Sequence, residues 1–306
     1  MEFAGRDIVS IKDFSREEID YILKMTDIIE PMARKGSHAL DGKIMATLFF
    51  EPSTRTRLSF ESAMYRYGGR CIGFAEPRMA SVEKGENLAD TVRVVESYAD
   101  IVVIRHPLEG AARLAAEFAS VPVINAGTGA EEHPTQAMLD LYTMRRELGR
   151  IDGSNVALVG DLRYGRTVHS LAYALSLYDI NLFLVSPSLL RMRKEVLEDV
   201  GRRIKVQETE ELSDVIPKVD VIYVTRIQKE RFGSLEDYDK VRGSYKIGVE
   251  DLAAAKPEMV LMHPLPRVDE IAFSVDQTPH AKYFKQVWYG LLIRMSLIGL
   301  VLGALT

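Results

Sequence analysis

The chain has 306 residues, 47% of them apolar and 27% charged, with a net charge of −5. This is a soluble globular composition with room for two domains of ordinary size, and it leaves no broad basic face for nucleic acid, so any anion site must be a local Arg/Lys cluster. Cys71 is the one cysteine, which excludes a disulfide within the chain and argues against a Cys-based structural zinc site. Residues 1–7 lack the basic-then-apolar order of a signal peptide, which points to the cytoplasm.

In chain order, residues 14–35 carry a helical apolar period, with Ser15 as cap and Glu18 three residues later. Strands are expected at 43–50, 70–74, 101–105 and 121–124, and helices at 56–67, 86–98, 110–118 and 134–148. After Gly149 the alternation restarts, with strands at 155–160, 181–185, 204–206, 220–224 and 259–262. Helices are expected there at 166–177, 188–200, 209–216 and 248–254. Short β-rich runs separated by helical segments imply parallel sheets with right-handed crossovers. The fold class is therefore α/β, with two domains, each a mainly parallel sheet flanked by helices. The first spans 1–132, a helix over 133–149 bridges, and the second spans 150–284, with a C-terminal helix over 285–306 packing back on the first. Residues 287–305 are strongly apolar, but Arg294 lies in their middle beside Gly290 and Gly303, so a buried helix is expected and no membrane span.

The most informative stretch is Glu51-Pro52-Ser53-Thr54-Arg55-Thr56-Arg57-Leu58-Ser59-Phe60-Glu61, directly after the apolar run 44–50. Three hydroxyls and two guanidiniums fall within five residues where a strand turns into a helix. Free N–H groups of a first helical turn bind anions, and Arg adds a planar fork matched to phosphate oxygens. The alternative is a capped surface helix with solvated arginines. Arg105 and His106 end the apolar run 101–104, at the edge where ligands of parallel sheets gather, or Arg105 is merely solvated there. Ser81 and Lys84 lie in a polar loop marked by Pro77 and Gly85, and on spacing alone Lys84 reads as a solvated lysine.

His133-Pro134-Thr135-Gln136 opens a helix, with Pro at its first position. The helix dipole disfavours a charged imidazole there, so His133 either donates one N–H to developing charge on an oxygen or simply caps. Gly160-Asp161-Leu162-Arg163-Tyr164-Gly165 follows a strand but lacks the G-x-G-x-x-G spacing, so a dinucleotide is a poor fit. Arg226-Ile227-Gln228-Lys229-Glu230-Arg231, read alone, is a charged loop.

Taken together, these strings resemble the aspartate and ornithine carbamoyltransferases, in order along nearly the whole chain. Arg226-Ile227-Gln228 and His263-Pro264-Leu265-Pro266-Arg267 resemble the aspartate-accepting branch. The resemblance implies transfer of the carbamoyl group of carbamoyl phosphate to L-aspartate, an early step of pyrimidine synthesis, in the cleft between the two domains. It implies that Ser53, Thr54, Arg55, Thr56, Ser81, Lys84, Arg105, His133, Gln136, Pro264 and Leu265 bind carbamoyl phosphate. Lys84, Arg166, Thr167, Arg226, Gln228, Leu265 and Pro266 would bind aspartate, and Arg55, Thr56, Lys84, Arg105 and His133 would carry catalysis. Ser81 and Lys84 would enter a neighbour's site, which implies a homotrimer. Glu51 would pair with Arg166 and Arg231 on domain closure, or else neutralise Arg55 or Arg57 locally. No cofactor and no metal are implied. Residues 107–114 resemble catalytic chains that assemble with a separate zinc-containing regulatory chain, which implies allosteric control.

An ornithine enzyme carries a Cys in the turn matching 263–266 and a Ser-Met-Gly element; this chain has neither, so charge complementarity selects a dicarboxylate. Two other readings stay open on sequence alone: an ornithine-type enzyme, and an inactive relative that binds anions as a scaffold. Intact Arg55, Lys84, Arg105, His133 and Arg226 argue against the latter.

Overall fold

The structure, a computed structural model, describes residues 1–75 and 85–305. It divides into two units: Met1–Met138 with Trp288–Thr306, and Leu139–Val287.

In the first unit the chain begins with α1 (Arg16–Lys35) and enters β1 (Ile44–Phe49), α2 (Thr54–Arg66) and β2 (Arg70–Phe74). It continues through α3 (Leu88–Val95), β3 (Ile101–His106), α4 (Ala111–Phe118) and β4 (Val123–Thr128). Among the described residues these strands form one parallel sheet in the order β2-β1-β3-β4. Central strands of such a sheet are covered on both faces and read as continuous apolar runs. That is why Ile101 to Ile104 are wholly buried, while the edge strand β2 has no buried residue. The start of α1 is a capping box: Ser15 Oγ accepts from the Glu18 amide, and Glu18 accepts from the Ser15 amide.

The boundary between the units falls within α5 (Pro134–Leu148). The second unit then runs β5 (Ser154–Val159), α6 (Arg166–Leu175), β6 (Ile180–Val185), α7 (Lys194–Gly201), β7 (Lys205–Thr209), β8 (Val221–Val224), α8 (Leu235–Val241), α9 (Val249–Leu252) and β9 (Val260–Met262). Its strands pair in parallel in the order β7-β6-β5-β8-β9. Its core is a cluster around Val159, Phe183, Ile222, Leu261 and Tyr283.

Strand order reverses once in each sheet, at β1/β3 and at β5/β8. In open α/β sheets that reversal, at the carboxyl ends of the strands, opens the crevice where ligands bind.

Two expectations from sequence are corrected, and one helix lay outside them. The helix expected over 188–200 is a 3-10 turn, Ser188–Leu190, followed by α7, with Arg191 and Arg193 extended between them. No helix forms over 209–216: β7 pairing with β6 continues to Thr209, whose hydroxyl then accepts from the Glu211 amide in a turn. Helix α8 was not anticipated. It is seven residues long and buries only Val241, so it carries no apolar period; its signal is Ser234, which caps it by accepting from the Asp237 amide.

The C-terminal apolar run is α10 (Tyr283–Val301). It is long and apolar enough to cross a membrane, yet 78% of its most apolar window is buried within the protein. Arg294 explains how a charge sits in its middle: the guanidinium donates to Ser59 Oγ at 2.8 Å and lies over the Phe60 ring.

Candidate active site

The crevice of the first sheet is built from the ends of β1, β3 and β4. The Phe50 amide donates to the Arg105 carbonyl at 2.8 Å, extending the β1–β3 ladder one residue beyond β1. Glu51 follows and forms a 2.6 Å ion pair with Arg105. Arg105 also donates to the Ala126 carbonyl within β4, at 3.3 Å. Beside it, burial lowers the affinity of His106 for a proton, with the Glu51 charge working the other way.

Ser53 is the N-cap of α2 in extended conformation, and its hydroxyl makes no cap bond. The first-turn amides of a helix have no intrahelical acceptor, so this turn presents unsatisfied donors and the positive end of the dipole. Thr54 opens the helix, Arg55 is exposed, and Thr56 is buried. Arg57 is committed elsewhere: its Nε donates to Glu61 at 2.7 Å, and Glu61 also accepts from Thr47. Of the two arginines in the string, then, Arg57 serves the helix.

His133 and Gln136 are buried at the start of α5. The Gln136 and Ala137 amides donate to the His133 carbonyl at 3.0 and 3.2 Å. The preceding residue, Glu132, is also buried and accepts from Ser10 Oγ at 2.7 Å, pinning the N-terminal segment under this turn. Ser81 and Lys84 lie outside the described residues.

The crevice of the second sheet lies between the ends of β5 and β8. Gly160 has φ +112°, and a Cβ there would stand 2.3 Å from the Thr225 carbonyl oxygen, so only glycine fits. Asp161 is fully buried and accepts from the Tyr164 amide at 2.9 Å and the Gln228 amide at 3.4 Å. Burial pushes its carboxyl above the usual range, against the pull of those amides and of Arg226. Gln228 in turn donates to the Tyr164 carbonyl at 3.4 Å. Asp161 and Gln228 thus tie the loop after β5 to the loop after β8.

Arg166 and Thr167 open α6, and Arg231 ends the 3-10 turn Lys229–Arg231. Arg226 forks onto Glu230, and that hydrogen bond holds the Glu230 carboxyl below its usual range. A cavity of about 210 Å³ lies here, with Arg226, Lys229, Arg242, Tyr245 and Glu270 in its walls. Pro264, Leu265 and Pro266 follow β9; Leu265 has φ +54°, and the Leu265–Pro266 peptide is cis. Among the described residues, no three His, Cys, Asp or Glu side chains gather as metal ligands.

Sequence reading missed Asp161, Glu230 and Glu270, all acidic. Asp161 stood in the Gly160 loop, but nothing in a string of residues says that its carboxylate turns inward to bind a loop 67 residues away.

Each crevice has its own counterpart among known families. Residues 6–146 match the carbamoyl-P binding domain of aspartate/ornithine carbamoyltransferase, and residues 152–301 match the Asp/Orn binding domain. The chain belongs to the aspartate/ornithine carbamoyltransferase family.

Within this family it is 57% identical over 308 residues to the aspartate carbamoyltransferase catalytic subunit of Thermococcus onnurineus, covering 100% of this chain and 99% of the relative. It is 58% identical over 310 residues to that of Thermococcus kodakarensis, with the same coverage. Among solved structures, aspartate transcarbamoylase from Trypanosoma cruzi in complex with carbamoyl phosphate and aspartate superposes with a TM-score of 0.94 at 41% identity, covering 98% of each chain. The catalytic subunit of M. jannaschii aspartate transcarbamoylase gives 0.88 at 53% identity over 96% of each chain. The two matched carbamoyltransferase domains meet between residues 146 and 152, where Gly149, at φ +80°, ends α5.

Proposed function

We infer that this chain transfers the carbamoyl group of carbamoyl phosphate to the α-amino group of L-aspartate, giving N-carbamoyl-L-aspartate and phosphate. The observation that carries this reading is the end-to-end match, at 57% identity, to an aspartate carbamoyltransferase catalytic subunit. The geometry supports it, because each family domain brings its own crevice lined by cationic groups.

The α-amino group attacks as the neutral amine, and the carbonyl carbon becomes tetrahedral while its oxygen gains charge. Thr56, Arg105 and His133 are assigned to that oxygen. His133 is buried at the start of α5, where the helix dipole disfavours a charged imidazole, and it is assigned to donate one N–H. Ser53, Thr54, Arg55, Thr56 and Arg105 hold the phosphate, with Gln136 beside His133, and Arg55 stabilises the leaving group as its charge grows. The departing phosphate takes the proton released by the amine, so the reaction needs no protein base. Orientation of the two substrates supplies about 7–11 kcal/mol of the barrier reduction.

In the second unit Arg226 and Gln228 take the side-chain carboxylate of aspartate, and Arg166 and Thr167 take the α-carboxylate. Backbone groups of Pro264, Leu265 and Pro266 orient the reacting amine and the carbamoyl NH₂. A cationic acceptor such as ornithine would meet Arg226 with like charge. We further propose a cytoplasmic homotrimer in which Ser81 and Lys84 complete a neighbour's site, joined by a zinc-containing regulatory chain.

The test is a product assay. Purified protein with carbamoyl phosphate should form carbamoyl aspartate from aspartate and no citrulline from ornithine. Citrulline as the main product would sink the acceptor assignment, and no product from either would favour an anion-binding scaffold.

A further inference from the structure

Leu265 is the one non-glycine residue at positive φ among the described residues, at +54°. Side chains with a Cβ adopt that conformation only where the surroundings hold it. What holds it is the ring of His263, two residues earlier. The Leu265 amide donates to His263 Nδ1 at 2.8 Å, so Nδ1 carries no proton. The single ring proton is therefore on Nε2, which faces Glu270 Oε1 at 2.6 Å. Both side chains are buried, His263 at 1% exposure and Glu270 at 5%.

Glu270 is itself fixed. Its second oxygen accepts from the Val268 and Asp269 amides, each at 3.1 Å. Burial raises its carboxyl, but the hydrogen bond from His263 and the backbone donors outweigh this, so it stays below its usual range and ionised. The His263 backbone is anchored as well: its amide donates to Gln286 Oε1 at 3.0 Å, and Gln286 donates to Asp140 at 2.6 Å. Glu270 also lines the cavity that carries Arg226. The ring thus stands between a carboxylate in the cavity wall and the backbone turn at Leu265.

We propose that His263 is a positioning residue: its Nδ1 holds the Leu265 amide, Glu270 fixes the ring in the Nε2–H tautomer, and together they aim the Leu265 backbone at the reacting groups. This rests on the function proposed above, which assigns that backbone to the substrates. A bound carboxylate that orients a histidine whose other nitrogen does the work is a general device. Here the nitrogen works on the enzyme's own turn.

The two ring nitrogens can be replaced separately. In His263→Asn the amide oxygen stands where Nδ1 was and can still accept from Leu265. In His263→Gln the longer amide reaches toward Glu270 and leaves the Leu265 amide without its acceptor. Full-length wild type and both variants are compared by steady-state kinetics, and by hydrogen exchange of a peptide containing Leu265. His263→Gln should lower kcat between about 10-fold and 100-fold, as a misplaced positioning group does, and His263→Asn should recover most of that loss. Leu265 amide exchange should be fast in the Gln variant and slow in the Asn variant. Equal kcat and equal exchange in the two variants would overturn the proposal. If wild type makes no carbamoyl aspartate, the functional reading fails, while the exchange contrast still decides whether the ring holds the turn.

Discussion

Glu51 and Arg105 meet at 2.6 Å, joining the residues just past β1 to the end of β3. The side chains are 18% and 13% exposed, so the pair is shielded from much of the solvent screening that weakens surface ion pairs. Neither reading of Glu51 from sequence named this partner. The consequence concerns anions: Arg105 is assigned to carbamoyl phosphate, and a carboxylate already occupies part of its guanidinium.

Glu51→Gln should therefore tighten binding of inorganic phosphate to the protein without substrates. Relief of the competing charge should be worth about tenfold in affinity, or about 1.4 kcal/mol. Titration calorimetry of wild type and variant with phosphate reads this directly. Unchanged or weaker binding would show that Arg105 does not face the anion.

Arg226→Ala should raise the aspartate KM steeply and leave phosphate binding as it was. Loss of a charged partner for a buried ligand carboxylate costs about 2–5 kcal/mol. The variant also releases Glu230, the present partner of Arg226, so a fresh negative charge remains near the cavity. Aspartate kinetics equal to wild type would remove this loop from the acceptor site.

Arg267 forks onto Asp276 and donates to Tyr283 at 3.0 Å. The Arg267 hydrogen bond holds the Asp276 carboxyl below its ordinary value of 3.8. A carboxyl lowered by folding contributes stability that is present above its ordinary pKa and lost as pH falls through its folded one. Asp276→Asn should thus lower Tm at pH 7, and the difference from wild type should shrink below pH 3.8. A Tm difference that stays constant with pH would mean that the charge contributes nothing.

Cys71 is half-buried, and burial first, then the charge of Glu61, push its thiol up to about 12. Since the thiolate is the nucleophile, its population at neutral pH falls about a thousandfold below that of a free cysteine. Native protein should remain unlabelled by a disulfide-exchange reagent at pH 8, while urea-unfolded protein takes up one equivalent. Rapid labelling of the native protein would contradict the burial of this thiol.

The proposed sharing of sites is tested with two inactive variants, Lys84→Ala and His133→Ala. Dissociated, mixed and reassembled, they should regain activity, because some sites then receive Lys84 from one chain and His133 from another. A heterologous contact of this kind closes as a ring. Mixed oligomers, confirmed by mass, that remain inactive would place Lys84 in its own chain's site.

The sequence by itself determined the class of fold and the chemistry of the ends of its strands. Apolar runs such as 101–104 can only be interior strands of a covered parallel sheet, and a hydroxyl- and Arg-rich turn after β1 can hardly avoid presenting helix N–H donors. Such signals are local, with residues a few positions apart sharing one turn or one face. Tertiary structure alone decided which strand ends adjoin. Strand order, with β1 beside β3 and β5 beside β8, is a pairing across distant segments, and it is what puts Glu51 on Arg105. It also decided the roles of the buried acids. Asp161, Glu132 and Glu270 read as ordinary charges in sequence, and only packing shows each turned inward onto backbone amides, a hydroxyl or a ring, because a buried carboxylate must find donors wherever the fold supplies them.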